Sequence, residues 1–220
     1  ARPVRRGRGL RAGLPVTIDE VMTAAPVIPV LVLDGSIDPA ALAETLVEAG
    51  LPVIEVTLRT TGALDAIRSM ARVPGAIVGA GTVLNDRMLG EAIDAGSRFI
   101  VAPGLTDTLG RAAIASGVPF LPGVANAGDI MRGLDLGLSR FKFFPAEASG
   151  GLPALGALAA VFGGLRFCPT GGIREETAPQ WLAHPSVPCV GGSWLVKPGE
   201  TDLAAIGERA RRAAELRGAE

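Results

Sequence analysis

The feature that most constrains this chain is its rhythm. Apolar, strand-like runs recur at about 27–34, 53–59, 76–83, 98–103, 119–124, 140–146, 166–172 and 189–194. Between them lie alanine- and leucine-rich segments of helical period, among them Asp38 to Gly50, Asp86 to Gly96, Thr106 to Gly117 and Asn126 to Gly137. Several of these segments stop at a glycine followed by an apolar residue or a serine, as in Ala49-Gly50-Leu51, Ala95-Gly96-Ser97 and Ser116-Gly117-Val118, the pattern of a glycine cap leading into a strand. Eight such pairs, at a period of roughly twenty residues or a little more, leave almost no room for insertions and predict a compact (β/α)8 barrel. A doubly wound sheet competes with that reading. It would want Gly-x-Gly-x-x-Gly after the first strand, and Val30-Leu31-Val32-Leu33-Asp34-Gly35 does not supply one.

Ahead of the repeats, residues 1–13 carry Arg2, Arg5, Arg6, Arg8 and Arg11 with three glycines and no periodicity. They read as a mobile, arginine-rich extension, and residues 14–220 as a single barrel domain. Thr17-Ile18-Asp19-Glu20 matches a capping box, so a short helix is expected to run to about Ala25 before Pro26 ends it.

The 220 residues can bury a sizeable core. The formal net charge of −1 gives no sign of a nucleic-acid or membrane partner, and no apolar run has the length of a bilayer span. A cytoplasmic protein is the expectation. Cys168 and Cys189 lie in separate apolar stretches, without metal-ligand spacing, and read as reduced core cysteines. The single histidine, His184, excludes a histidine-rich metal centre, though not a carboxylate magnesium site.

Within this frame the stretch Arg140-Phe141-Lys142-Phe143-Phe144-Pro145 stands out. It is short, aromatic and ended by proline, which suits a strand. Alternation puts Arg140, Lys142 and Phe144 on one face and Phe141 and Phe143 on the other. Burying an unpaired ammonium is costly, and a neutral lysine amine is a nucleophile toward carbonyls. A lysine at the end of an edge strand can instead snorkel to water. Scarcity argues against that here: the chain has two lysines, Lys142 and Lys197, while arginine supplies the other 19 of its 21 cations.

The second strand, Val53 to Arg59, alternates strictly, with Glu55, Thr57 and Arg59 opposite Ile54, Val56 and Leu58. In a barrel, its polar face and that of the sixth strand converge on the axis from opposite walls, bringing Glu55 toward Lys142. The pair can carry protons or can be a purely structural ion pair. Arg59, nearer the mouth, has the planar fork that suits a carboxylate or phosphate, or a rim salt bridge. Gly79-Ala80-Gly81-Thr82 offers small residues beside which a ligand could approach the backbone, with a hydroxyl at the tip. Gly171-Gly172 and Gly191-Gly192 end the last two strands, where such barrels recurrently bind phosphate through backbone N–H groups. Glu147 is compatible with the mouth or with a helix N-terminus.

Taken together, Glu55-Val56-Thr57-Leu58-Arg59-Thr60, Gly79-Ala80-Gly81-Thr82-Val83-Leu84-Asn85, Pro103-Gly104-Leu105-Thr106, Phe141-Lys142-Phe143-Phe144-Pro145-Ala146-Glu147, Pro169-Thr170-Gly171-Gly172-Ile173 and Gly191-Gly192-Ser193-Trp194 resemble the KDPG and KHG aldolase family. The resemblance runs from about Val27 to Trp194. It implies a homotrimeric (β/α)8 barrel and a class I aldolase that needs no metal and no cofactor. It also implies that Lys142 forms an imine with a 2-keto acid and that Glu55 is the general acid/base. Arg59 and Thr82 would hold the pyruvate carboxylate and Pro103 and Phe144 would line the pocket. Gly171, Gly172, Gly191, Gly192 and Ser193 would hold a phosphate. The implied substrate is 2-dehydro-3-deoxy-6-phosphogluconate, with 4-hydroxy-2-oxoglutarate as a further one. The alternatives are an aldolase for the galactonate epimer, a phosphosugar isomerase or epimerase, and a non-catalytic phosphosugar-binding barrel.

Overall fold

The computed structural model describes residues 16–216, and the arginine-rich residues 1–13 lie outside them. The chain alternates strand and helix as the rhythm of the sequence demands. The strands are β1 (Val27–Leu31), β2 (Val53–Thr57), β3 (Ile77–Gly81), β4 (Ile100–Val101), β5 (Phe120–Leu121), β6 (Gly123–Val124), β7 (Arg140–Phe143), β8 (Arg166–Pro169) and β9 (Val190–Gly192). The helices are α1 (Ile18–Thr23), α2 (Pro39–Glu48), α3 (Ala63–Met70), α4 (Asp86–Asp94), α5 (Asp107–Ser116), α6 (Ala127–Asp135), α7 (Gly151–Val161), α8 (Ala178–Leu182) and α9 (Leu203–Glu215).

Local chemistry sets the helix starts. Asp38, Asn85, Thr106, Asn126 and Asp202 each accept a backbone N–H at a helix N-terminus. The Thr17–Glu20 capping box forms in full at α1.

The fold is α/β, and every strand pairing is parallel. A six-stranded sheet runs β5-β4-β3-β2-β1-β9, and a three-stranded sheet runs β6-β7-β8. The fifth strand foreseen from sequence is thus two short pieces, and Pro122 is the cause. It has no N–H to give to a ladder, although its carbonyl accepts from Lys142 N at 2.8 Å. At the other end of the small sheet, Thr170, just after β8, and Gly191 of β9 form an isolated parallel bridge.

Alternation along the strands builds two cores. The helix-facing residues, among them Ile54, Val56, Val78, Ile100, Phe141, Phe143 and Phe167, form the larger one. The opposite set, Ile28, Val53, Ile77, Phe99, Val101, Leu121, Cys168 and Cys189, packs together with Val21 and Met22 of α1. The short first helix therefore closes the N-terminal end of the strands, and Asp19 Oδ1 meets Arg140 Nε of β7 at 2.5 Å. Both cysteines are buried and neither forms a disulfide, as expected.

Candidate active site

Above the inner core the same face turns polar. Glu55 follows Val53 on β2, and Lys142 follows Arg140 on β7. Their side chains meet: Lys142 Nζ donates to Glu55 Oε1 at 3.0 Å and lies 3.3 Å from Oε2. The two residues are 6% and 4% exposed, so an ion pair that would be worth little at the surface here decides the polarity of the interior. Nζ also lies 5.4 Å from the centroid of the Phe144 ring, within cation–π range. The Lys142 amine is thus held between the Glu55 carboxylate and the face of the Phe144 ring.

Phe141 and Phe143, on the other side of β7, fix where that amine sits. Phe141 packs on Phe167 with ring centroids 6.2 Å apart, and Phe143 on Trp181 at 6.3 Å. Thr57, two residues beyond Glu55, is buried and donates from Oγ1 to the Leu31 carbonyl at 2.8 Å, tying β2 to the end of β1.

At the rim Arg59 is exposed, and its Nε donates to Thr82 Oγ1 at 3.3 Å. Thr82 is the only non-glycine residue with positive φ among the described residues, at 60°. A β-branched residue there is strained, and such strain gathers where a side chain must point a particular way. Its hydroxyl and the Arg59 guanidinium form one donor-rich corner. Pro103 and Phe144 are half-buried nearby in sequence register, after β4 and β7.

The glycines divide into two kinds. Gly171 and Gly172 have φ of +105° and +82° and are half-buried and exposed, respectively. Gly191 and Gly192 are buried, and Ser193 is exposed. A Cβ at Gly191 would stand 2.2 Å from Thr170 Oγ1, and one at Gly192 would stand 2.5 Å from the Trp194 ring. Side chains of this chain fill those spaces, leaving only the backbone of the second pair for a ligand. The same holds on β3, where the sequence reading left room for a ligand. A Cβ at Gly79 would lie 2.6 Å from the Phe99 ring, and one at Gly81 would lie 2.2 Å from Glu55 Oε1. These small residues admit Phe99 and Glu55, not a substrate.

Trp181 escaped the sequence reading, and so did its contact with Glu147, which that reading placed at the mouth or at a helix N-terminus. Trp181 Nε1 donates to Glu147 Oε1 at 3.1 Å, and Glu147 Cγ would lie 2.7 Å from a Cβ at Gly172. Glu147 N also donates to Gly171 O at 3.1 Å. The carboxylate therefore braces the Gly171–Gly172 turn against α8. No spacing in the sequence signals this contact, because its partners lie 34 residues apart, one in the turns after β7 and the other in α8.

Residues 18–209 match the family model described as KDPG and KHG aldolase. The chain is 58% identical over 200 residues to the 2-dehydro-3-deoxy-phosphogluconate aldolase of Zymomonas mobilis, covering 91% of this chain and 96% of that one. It is 50% identical over 179 residues to the KHG/KDPG aldolase of Escherichia coli K12, covering 81% and 84%. Among solved structures, the Z. mobilis 2-keto-3-deoxy-6-phosphogluconate aldolase with 3-phosphoglycerate matches with a TM-score of 0.89 at 58% identity, over 90% of this chain and 95% of that one. The KDPG aldolase of Legionella pneumophila, with pyruvate captured as a covalent carbinolamine, matches at 0.82 and 41% identity, over 91% and 96%.

Proposed function

The chain belongs to the KDPG and KHG aldolase family and is a carbon–carbon lyase, and on that premise we propose that it cleaves 2-dehydro-3-deoxy-6-phosphogluconate to pyruvate and glyceraldehyde 3-phosphate through an imine on Lys142. The observation that carries this reading is the buried contact of 3.0 Å between Lys142 Nζ and Glu55 Oε1.

Glu55 takes a proton from Nζ, and the free amine attacks C2 of the keto acid. The carbonyl oxygen takes one proton from the attacking nitrogen and a second from the protonated Glu55 and leaves as water, giving a protonated imine. Glu55 then accepts the C4 hydroxyl proton as the C3–C4 bond breaks, its electron pair flowing into C3 and on to the imine nitrogen. Glyceraldehyde 3-phosphate departs, the enamine is protonated at C3, and hydrolysis returns pyruvate and the lysine.

Arg59 and Thr82 form the corner for the carboxylate, while Pro103 and Phe144 flank the carbon chain. Gly171, Gly172, Gly191, Gly192 and Ser193 offer backbone N–H groups and a hydroxyl for the phosphate. The Z. mobilis relative holding 3-phosphoglycerate supports a phosphorylated ligand. The L. pneumophila relative holding a pyruvate carbinolamine supports the imine route. The two sheets are, in this reading, arcs of one closed eight-stranded barrel. Continuity through Pro122 and the Thr170–Gly191 bridge favour that closure. The resemblance also favours a homotrimer in the cytoplasm, and no helix among the described residues is long and apolar enough to cross a membrane.

Pyruvate release from the phosphogluconate keto acid, its galactonate epimer and 4-hydroxy-2-oxoglutarate, measured side by side, tests the proposal. The phosphogluconate compound should have the highest kcat/KM. A preference for the epimer would overturn the substrate, and silence on all three the activity.

A further inference from the structure

We propose that Gly81 is a positioning residue of the reaction: it is the gap in the wall of β3 that allows the Glu55 carboxylate to lie where it reaches Lys142. The inference rests on the reading of Glu55 as the proton carrier. A Cβ built at position 81 would stand 2.2 Å from Glu55 Oε1, 2.7 Å from Cγ and 2.8 Å from Cδ. A methyl group and the present Glu55 side chain cannot both occupy that space.

Something must move, and the backbone is held. Leu58 N donates to Gly81 O at 2.8 Å, and Thr57 is in register with Gly81 across the β2–β3 ladder. Gly81 is not among the glycines with positive φ, so an alanine there meets no conformational penalty of its own. The glycine is required by what stands opposite it. The yielding element is Glu55, whose Oε1 would have to retreat by more than about 1 Å to reach ordinary contact. That oxygen is the one 3.0 Å from Lys142 Nζ. The corresponding room one step back along the strand is already taken, since the Phe99 ring fills the space beside Gly79. A displaced carboxylate therefore turns away from the lysine.

The test is a cycle of Gly81→Ala, Glu55→Ala and the double variant, with Glu55→Gln alongside. In wild type, Gly81→Ala should lower kcat on 2-dehydro-3-deoxy-6-phosphogluconate by about 100-fold, the cost of an ångström of misplacement, with KM changed by less than about threefold. It should also lower Tm. In the Glu55→Ala background the clashing atoms are gone, so the added methyl should leave Tm unchanged. Wild-type kcat in Gly81→Ala, or an equal Tm loss in both backgrounds, would overturn the proposal. If Gly81→Ala does not fold and the double variant does, the coupling stands; if neither folds, it falls. Glu55→Gln keeps the shape of the side chain, and wild-type kcat in that variant would retire the proton-carrier reading itself, whatever the Tm cycle shows.

Discussion

Replacing Gly133 by alanine should destabilise the wild-type protein and stabilise a Phe141→Leu variant. Gly133 lies in α6, and a Cβ there would stand 2.4 Å from Phe141 Cε1 and 2.6 Å from Cζ, with Leu105 Cδ2 at 3.4 Å. Phe141 is fully buried, with its ring locked between α6 and Phe167. Alanine gains up to about 1 kcal/mol over glycine inside a helix, somewhat less in the last turn. Forcing a methyl against a fixed ring costs about 1–3 kcal/mol. The net change in wild type is then a loss of about 1 kcal/mol. Leucine at 141 lacks the two clashing atoms, so in that background the penalty disappears and a gain of about 0.5–1 kcal/mol remains. The coupling should be about 1–3 kcal/mol, well above the scatter of about 0.5 kcal/mol seen for independent sites. Urea unfolding of the four proteins at one protein concentration reads it out as shifts in midpoint at constant m. The same sign and size in both backgrounds would refute the claim that Phe141 seats β7, and with it Lys142, on α6.

Three further expectations are simpler. Arg59→Met removes a charge-assisted hydrogen bond worth about 1.5–3 kcal/mol, so the KM for the keto acid should rise roughly 10- to 100-fold in steady-state assays; an unchanged KM would move the carboxylate elsewhere. Trp181→Phe keeps the packing on Phe143 but releases Glu147, and should raise KM about fivefold for the phosphorylated acid and little for 4-hydroxy-2-oxoglutarate, measured side by side. Glu200 accepts from Arg209 Nη2 at 2.5 Å, and this hydrogen bond holds its carboxyl below the ordinary carboxylate value. A lowered folded-state value means that its contribution is present in full above the ordinary range and is lost as pH falls through the lowered one. The Tm gap between wild type and Glu200→Gln should stay constant from about pH 7 to pH 5 and close on further acidification; a gap that widens would be the wrong sign.

The sequence carried the fold as far as periodicity carries. Strands two and six could be paired across an axis because alternation assigns Glu55 and Lys142 to inner faces, and the side chains do meet at 3.0 Å. The first helix start was equally legible, since Thr17 and Glu20 form the capping box that their spacing spells. What escaped depends on residues remote in the chain. Pro122 splits strand five because of which ladder bond its missing N–H would have made. Gly79 and Gly81 read as room for a ligand, whereas Phe99 and Glu55 occupy that room. The Trp181–Glu147 hydrogen bond belongs to no motif, and the positive φ of Thr82 is invisible in a string of letters.

The central claim is that Lys142 is the nucleophile. Borohydride reduction in the presence of pyruvate, followed by intact mass and peptide mapping of wild type and Lys142→Ala, tests it most directly. Wild type should gain one reduced pyruvate adduct on the peptide containing Lys142, and the variant none. An adduct on Lys197, or none under conditions where pyruvate binds, would contradict the account.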